Sequence, residues 1–404
     1  MQANNPFSLY IHLPFCLTRC SYCDFNTYTG VSHLIPQYTD AICEEIKCLG
    51  VSGKVLTSLK PNIHTIYFGG GTPSLFKHQL LKNILDTIYL YFEVIDTAEI
   101  TLEVNPGSID PSYMESIHSI GINRLSLGMQ SSHPDELHLL SRQHTQQAVE
   151  VSMHSARQSG FKNISLDLIY GIPKQSLPSW QLSLNTAIVL QPEHLSLYSL
   201  TIEPGTPLHY DVSAGIVSPP DDDLSADMYE LADTILVNAG YFQYEISNWA
   251  RKNEDDELLT SRHNIQYWHN QPYLGLGAGA HGYANKIRTE NVSHIQDYIQ
   301  NMQTGSIQNF PISPATTKSS SISMTLEMQE TMMMGLRLTD EGISRQVFLE
   351  RFGYSPEDVF GKEIDELLQL ELLEWRPPQK DALRLTKQGR LLGNQVFMRF
   401  VGDV

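Results

Sequence analysis

From the N-terminus to about residue 240 the chain repeats one theme: a short β-branched or aromatic run, a polar or glycine-rich turn, then an amphipathic segment of helical length. That succession is the pattern of parallel βα units. It predicts strands at 8–13, 64–68, 99–104, 124–127, 164–169 and 194–200, with intervening helical segments that end at Gly50, Gly121, Gly160 and Gly240, where glycine suits a helix C-cap. Six such units make an α/β fold, and periodicity alone leaves open whether the sheet is a partial barrel or an open curved sheet.

The pattern changes near residue 240. Residues 241–250 read as a strand leading into a charged, solvated loop at 251–257, followed by an aromatic and histidine-rich block. The stretch 311–323 is rich in Pro, Ser and Thr and reads as an exposed crossing. From Met324 a compact helical unit follows, whose run Leu383-Arg-Leu-Thr-Lys387-Gln-Gly389-Arg390 reads as the hairpin and last helix of a winged-helix-like domain. Four parts are therefore expected: a core at 1–240, an extension at 241–310, a linker at 311–323 and a smaller C-terminal domain at 324–404. Met324, Met328 and Met332 to Met334 recur at helical spacing and read as core filler.

Charge narrows the function classes. With 27 Lys+Arg against 45 Asp+Glu in 404 residues the net charge is −18, which repels phosphate backbones and anionic membranes. Acidic residues also outnumber basic ones after Leu326, so the C-terminal domain is expected to be a lid or packing module and no nucleic-acid partner is expected. The first residues lack a basic and apolar leader, and no apolar run approaches the ~18 residues of a membrane span, so a cytoplasmic protein is expected. Cys43 and Cys48, five apart on a predicted helix, read as structural thiols.

The remaining three cysteines carry the strongest chemical signal. Cys16, Cys20 and Cys23 stand in a Cys-x3-Cys-x2-Cys loop directly after the first strand, and Phe25 occupies a position where a fourth ligand would be useful. One short loop of this spacing wraps three corners of a cubane [4Fe-4S] cluster and leaves one iron open. An open iron is what S-adenosylmethionine (SAM) needs to bind through its amino and carboxylate groups, so that a reduced cluster can pass an electron to the sulfonium. Zinc is the rival reading. It wants four N or S ligands, and His12 is the only nearby addition.

The ends of the other predicted strands add to this picture, because parallel α/β sheets hold ligands at their C-terminal edge. Gly69-Gly70-Gly71-Thr72-Pro73 follows the second, Glu103-Val-Asn105-Pro106-Gly107 lies near the third, Gly128-Met129-Gln130-Ser131 follows the fourth, Asp167 lies near the end of the fifth, and Thr201 with Glu203-Pro204-Gly205 follows the sixth. Taken singly, each could be a turn or a helix cap. Together at one edge they suit SAM: glycines permit close backbone approach, carboxylates pair with an amino group or ribose hydroxyls, and Arg142 can grip a carboxylate as a fork.

The cysteine loop resembles the signature of the radical SAM superfamily, and Tyr10-x-His12-x-Pro14-Phe15-Cys16 resembles its coproporphyrinogen oxidase-like branch. The resemblance implies a radical SAM partial (βα)6 barrel followed by the smaller, mostly helical domain. It also implies that Cys16, Cys20 and Cys23 hold the cluster and that Tyr10, Tyr22, Gly70, Gly71, Thr72, Glu103, Gln130, Arg142 and Asp167 contact SAM. Within the branch, His263-Asn264-x-x-Tyr267-Trp268 matches the HNxxYW motif of HemW-like heme chaperones. By composition this block and the glycines of Gly275-Leu-Gly277-Ala-Gly279-Ala-His281-Gly282 suit a flat, apolar ligand, although on composition alone the favoured reading is that such residues knit loops to a core, and it is the motif match that shifts the balance.

The resemblance therefore implies heme binding by His263, Asn264, Tyr267 and Trp268, with His263 the first candidate for the axial ligand and His269 and His281 the alternatives. It implies transfer to an acceptor protein, which could be membrane-bound, while the chaperone itself has no membrane span. The alternative function is that of the branch's oxygen-independent coproporphyrinogen III oxidase in porphyrin biosynthesis. That enzyme carries a further cysteine where this chain has Phe25, and a longer N-terminal segment than the fifteen residues before Cys16. Both departures point away from decarboxylation.

Overall fold

The protein is described here by a computed structural model over residues 6–402. All six predicted strands are present: β1 (Phe7–Leu13), β2 (Asn62–Gly70), β3 (Glu93–Val104), β4 (Arg124–Gln130), β5 (Ile164–Tyr170) and β6 (His194–Ser199). They pair in parallel in chain order, each separated from the next by helix, as βα succession requires. A seventh strand, β7 (Tyr273–Leu276), adds in parallel on the free side of β1, and β8 (His281–Ala284) and β9 (Ile287–Asn291) continue from it antiparallel. The order from that side is β9-β8-β7-β1-β2-β3-β4-β5-β6, an open curved sheet compatible with a partial barrel.

The strands alternate, which is unusual for a parallel sheet covered on both faces. One face is apolar: Leu9, Ile11 and Leu13 of β1, Ile66 and Phe68 of β2, Leu125 and Leu127 of β4, and Leu166 and Leu168 of β5 are all buried. The intervening positions are polar. Ser8, Tyr10 and His12 are matched by Thr65 and Tyr67, by Thr101 and Glu103, by Arg124 and Ser126, and by Ser165 and Asp167. Successive side chains of a strand point to opposite faces, so this period of two sends these apolar residues toward the helices and these polar ones to the other side of the sheet. A polar face buried this well has to be satisfied internally, and it is the face on which the candidate SAM residues stand.

The glycines behave differently from one another. Gly121, Gly160 and Gly240 follow helices with φ of 104°, 98° and 83°, the left-handed geometry that only glycine adopts freely. Gly50 departs from expectation, because the helix Ile35–Thr57 runs through it and ends at Ser58. A Cβ at Gly50 would lie 2.6 Å from the Cβ of Tyr91, so the residue is glycine to let the helix His78–Tyr91 approach. Gly275 and Gly277 likewise serve the backbone. A Cβ on Gly275 would overlap the carbonyl oxygen of His281, and one on Gly277 would lie 2.5 Å from that of His12, which explains these glycines by sheet packing rather than by a flat ligand.

The chain divides into two compact units, Met1–Ile235 with Pro272–Ser320, and Leu236–Gln271 with Ser321–Val404. The first holds the parallel sheet. Thr316–Ser321, inside the stretch read as a linker, forms an exposed strand next to β9, with Lys318 3.0 Å from Glu290. In the second unit the helices Met324–Gly335, Arg345–Phe352 and Pro356–Gln369 and a three-stranded antiparallel sheet (Ile343–Ser344, Ala382–Leu385, Leu373–Trp375) give the winged-helix-like arrangement. Met328 and Met332 lie in its core with Leu336, Phe348, Ile364 and Leu383.

Candidate functional site

The cysteine loop begins where β1 ends. Phe15–Cys16 pairs in parallel with Tyr28–Thr29, so the loop leaves and returns along one short ladder. Its anchors are polar and reach distant parts of the chain: Asn26 Nδ2 donates to the carbonyls of Ala278 and Ser293, both at 3.0 Å, and Ser21 Oγ donates to Leu139 O at 2.7 Å. His12 Nε2 donates to Asn26 O at 2.8 Å, so its Nδ1 is the acceptor for the Tyr10 hydroxyl at 3.0 Å. Both ring nitrogens are thereby engaged, and burial lowers the imidazole's pKa and keeps it neutral. This removes His12 as a fourth zinc ligand.

Cys16, Cys20 and Cys23 are free thiols, the first buried and the other two half-buried. Burial raises the pKa of Cys16 and of Cys23, and each is raised further by the neighbouring cysteines of the loop. Among the described residues no three His, Cys, Asp or Glu side chains converge as the ligands of a single metal ion. Cubane ligands need not converge, since each thiolate binds a different iron. Three thiols on one loop, no further cysteine nearby and an exposed Phe25 form a donor set that fits a cluster with three protein ligands.

A hydrogen-bond relay joins two of these sulfurs through the sheet edge. Arg142 Nη1 lies 3.4 Å from Cys20 Sγ, and its Nη2 donates to Asn105 Oδ1 at 2.7 Å and to Gly128 O at 3.2 Å. Asn105 Nδ2 donates in turn to Thr72 Oγ1 at 3.0 Å, and the Thr72 hydroxyl points at Cys16 Sγ at 3.7 Å. Arg142 has five N–H donors, so this relay leaves others to meet an incoming carboxylate.

The other candidate residues sit around this relay. Gly70, at φ 117°, lets His12 lie where a Cβ would be, and Gly71 lets the chain pass Phe15 O and Cys16 Sγ at distances no side chain permits. Glu103, one residue short of the end of β3, accepts from Tyr67 Oη at 2.9 Å and from Gly70 N at 3.1 Å. Burial, with a smaller contribution from Asp167, pushes its pKa up to about 7. Gln130 ends β4 in the left-handed conformation (φ 63°) and is buried. Tyr22 packs beside Leu140, Ile169 and Leu200.

Asp167 lies at the centre of β5, not at its end, and accepts from Ser126 Oγ at 2.8 Å and Ser165 Oγ at 3.2 Å. Tyr67, Ser126 and Asn105 complete this environment and were not singled out from the sequence for a role in it. The signal that finds the first two is the alternation itself, a polar residue at every second position of an otherwise aliphatic parallel strand. Asn105 belonged to a strand-end motif, but its bridging position depends on three elements meeting.

The HNxxYW residues lie in the second unit, on the seven-residue helix Arg262–Trp268, capped by Ser261 Oγ. His263 is 1% exposed, and its Nε2 lies 3.0 Å from Tyr267 Oη with the rings edge to face. Asn264 presents its backbone N–H to the Ser261 cap, so within the helix it holds the first turn. Trp268 is covered on one side by the Arg337 guanidinium, 4.5 Å from the ring centre. A cleft of about 220 Å³ opens beside it, lined by Trp268, His269, Ile343, Val347, Phe348 and Arg351 among others. His281 stands exposed on β8 in the first unit.

An open parallel sheet with a three-cysteine loop at its C-terminal edge defines a radical SAM protein, and the profile of the radical SAM superfamily matches residues 10–184. The HemN C-terminal domain matches residues 323–392. The heme chaperone HemW of Bacillus subtilis is 36% identical over 399 residues, 98% of this chain and all of that one. That of Haemophilus influenzae is 33% identical over 98% of each. The chain belongs to the HemW family. The coproporphyrinogen III oxidase HemN of Escherichia coli, a radical SAM enzyme, superposes with a TM-score of 0.81 at 21% identity, covering 98% of this chain and 90% of that one, and so shares the fold. Among the described residues no helix is long and apolar enough to cross a membrane.

Proposed function

We propose that the protein is a heme chaperone that binds heme and passes it to an acceptor protein, carrying a [4Fe-4S] cluster on Cys16, Cys20 and Cys23 with SAM at the open iron. The observation that carries this reading is the HNxxYW helix beside a cleft in a chain alike over its whole length to HemW of Bacillus subtilis, whose name states the heme-chaperone role. When bound, a cluster of this kind with SAM supplies one-electron chemistry. The chain's own residues bind and orient. Glu103 is placed to accept from the SAM amino group, Arg142 to hold its carboxylate, Gly70, Gly71 and Thr72 to line the aminoacyl end, and Tyr10, Tyr22, Gln130 and Asp167 to bound the remainder. Asn105 positions Arg142 against Thr72.

Heme is the cargo, and His263, Asn264, Tyr267 and Trp268 build the element that presents it. Phe25, where the oxidase branch has a further cysteine, supports a chaperone without decarboxylase activity. The proposed location is the cytoplasm. The expected outcome of a heme titration is a Soret band that saturates near one heme per chain, with background turnover when coproporphyrinogen, SAM and reductant are supplied anaerobically. Robust formation of protoporphyrinogen would replace the chaperone reading by the oxidase one.

A further inference from the structure

We infer that His269, held by Glu341, is the residue that ligates heme iron, and that the cleft beside Trp268 seats one apolar edge of the macrocycle. The inference rests on the heme-chaperone reading and deepens it. His263, the histidine of the motif, is 1% exposed, and its ring is packed edge-on against Tyr267 with Nε2 on the phenol oxygen. To reach iron it would have to leave the core and give up that contact, so its geometry is that of a brace which orients the helix.

His269 is the next histidine along, at the C-cap of the same helix, and it lines the cleft with its side chain 37% exposed. Its Nε2 lies 3.0 Å from Glu341 Oε1. A carboxylate on one ring nitrogen is the arrangement found behind metal-ligating histidines, because it fixes the tautomer and makes the other nitrogen a better donor. With Nε2–H donated to Glu341, Nδ1 carries the lone pair.

The backbone around His269 is also fixed. Asn270 takes the left-handed conformation (φ 49°) that ends the helix, and Arg351 clamps the turn by donating to His269 O at 3.1 Å and Asn270 O at 2.8 Å while paired to Glu327 at 2.7 Å. The cleft's walls include Trp268, Ile343, Val347 and Phe348. At about 220 Å³ it is smaller than the ~300–1,000 Å³ of pockets that enclose a small molecule, so it takes an edge and not the whole of a tetrapyrrole. Apolar walls select the vinyl-bearing edge, which leaves the carboxylates of the macrocycle in water.

The test is hemin binding to the full chain. H269G should weaken binding at least tenfold and lose the wild type's histidine-ligated Soret and EPR signature, and added imidazole should restore that signature. E341Q should keep the stoichiometry but raise the heme's reduction potential, since the ligand loses its anionic partner. H263Q, folded by circular dichroism, should retain the ligation signature. A wild-type spectrum and affinity in H269G overturn the assignment alone, as does loss of the signature in folded H263Q with its retention in H269G. A wild-type chain that takes up no heme overturns the chaperone reading and this assignment together.

Discussion

Glu103 shows how a candidate site residue can cost stability to the chain that carries it. Its pKa rises from the ordinary 4.5 to about 7, chiefly by burial, so between those values the folded chain holds a proton that the unfolded chain has released. Stability from this group is therefore fully present below about pH 4.5 and falls as pH rises toward 7, by up to about 3 kcal/mol. Glutamine mimics the protonated form. Glu103→Gln should raise the melting temperature of the ligand-free protein above pH 7 and flatten its pH dependence, while weakening SAM binding at least tenfold through loss of a charge-assisted contact. Thermal unfolding between pH 5 and 8, with SAM affinity measured calorimetrically, checks both signs. A variant less stable than wild type at pH 8 would refute the burial argument.

At the scale of elements, the cysteine loop depends on a neighbour that the sequence gives no hint of. Glu45, on the helix Ile35–Thr57, is 1% exposed and accepts from Gly277 N at 2.9 Å, Asn291 Nδ2 at 2.7 Å, Tyr298 Oη at 2.6 Å and Ser313 Oγ at 2.6 Å. On the same helix Tyr38 donates to His12 O at 2.9 Å and accepts from Ala278 N at 2.7 Å. The helix thus fastens the segment after β7 to the strand that launches the loop. Glu45→Ala takes the shared acceptor from four buried groups, of which Asn291 Nδ2 keeps Gly277 O at 3.1 Å and Ser313 Oγ keeps Thr316 Oγ1 at 3.4 Å; at about 1–3 kcal/mol for each group left unpaired, a loss of at least ~3 kcal/mol is expected in chemical denaturation. A change under ~1 kcal/mol would mean that water replaces the carboxylate.

For the whole molecule, the cysteine loop and the HNxxYW helix are built from different residues in different compact units. Replacing Cys16, Cys20 and Cys23 together by serine should remove iron and sulfide and abolish SAM binding, yet leave heme uptake near one per chain by Soret titration. The loop's anchors, Ser21, Asn26 and His12, are not sulfur contacts, so circular dichroism should match the wild type. Loss of heme binding in that variant would show that the two sites are not independent.

The sequence by itself determined the strands, the cysteine loop and the strand-end motifs, because these are local: β-branched runs, turn glycines and ligand spacing act over a few residues. It also fixed the family, through motifs that stand in order along the chain. Tertiary structure decided what depends on distant residues meeting. Gly50, Gly275 and Gly277 are glycines because another backbone or side chain comes close, which a local reading mistook for a cap or a ligand surface. Asn105 bridges Arg142 and Thr72 only when the ends of β2 and β3 and the loop after the helix Pro134–Leu139 lie side by side. His263 and His269 look interchangeable in sequence; packing buries one against Tyr267 and sets the other at the cleft beside Glu341, and burial, a property of the folded chain alone, separates their chemistry.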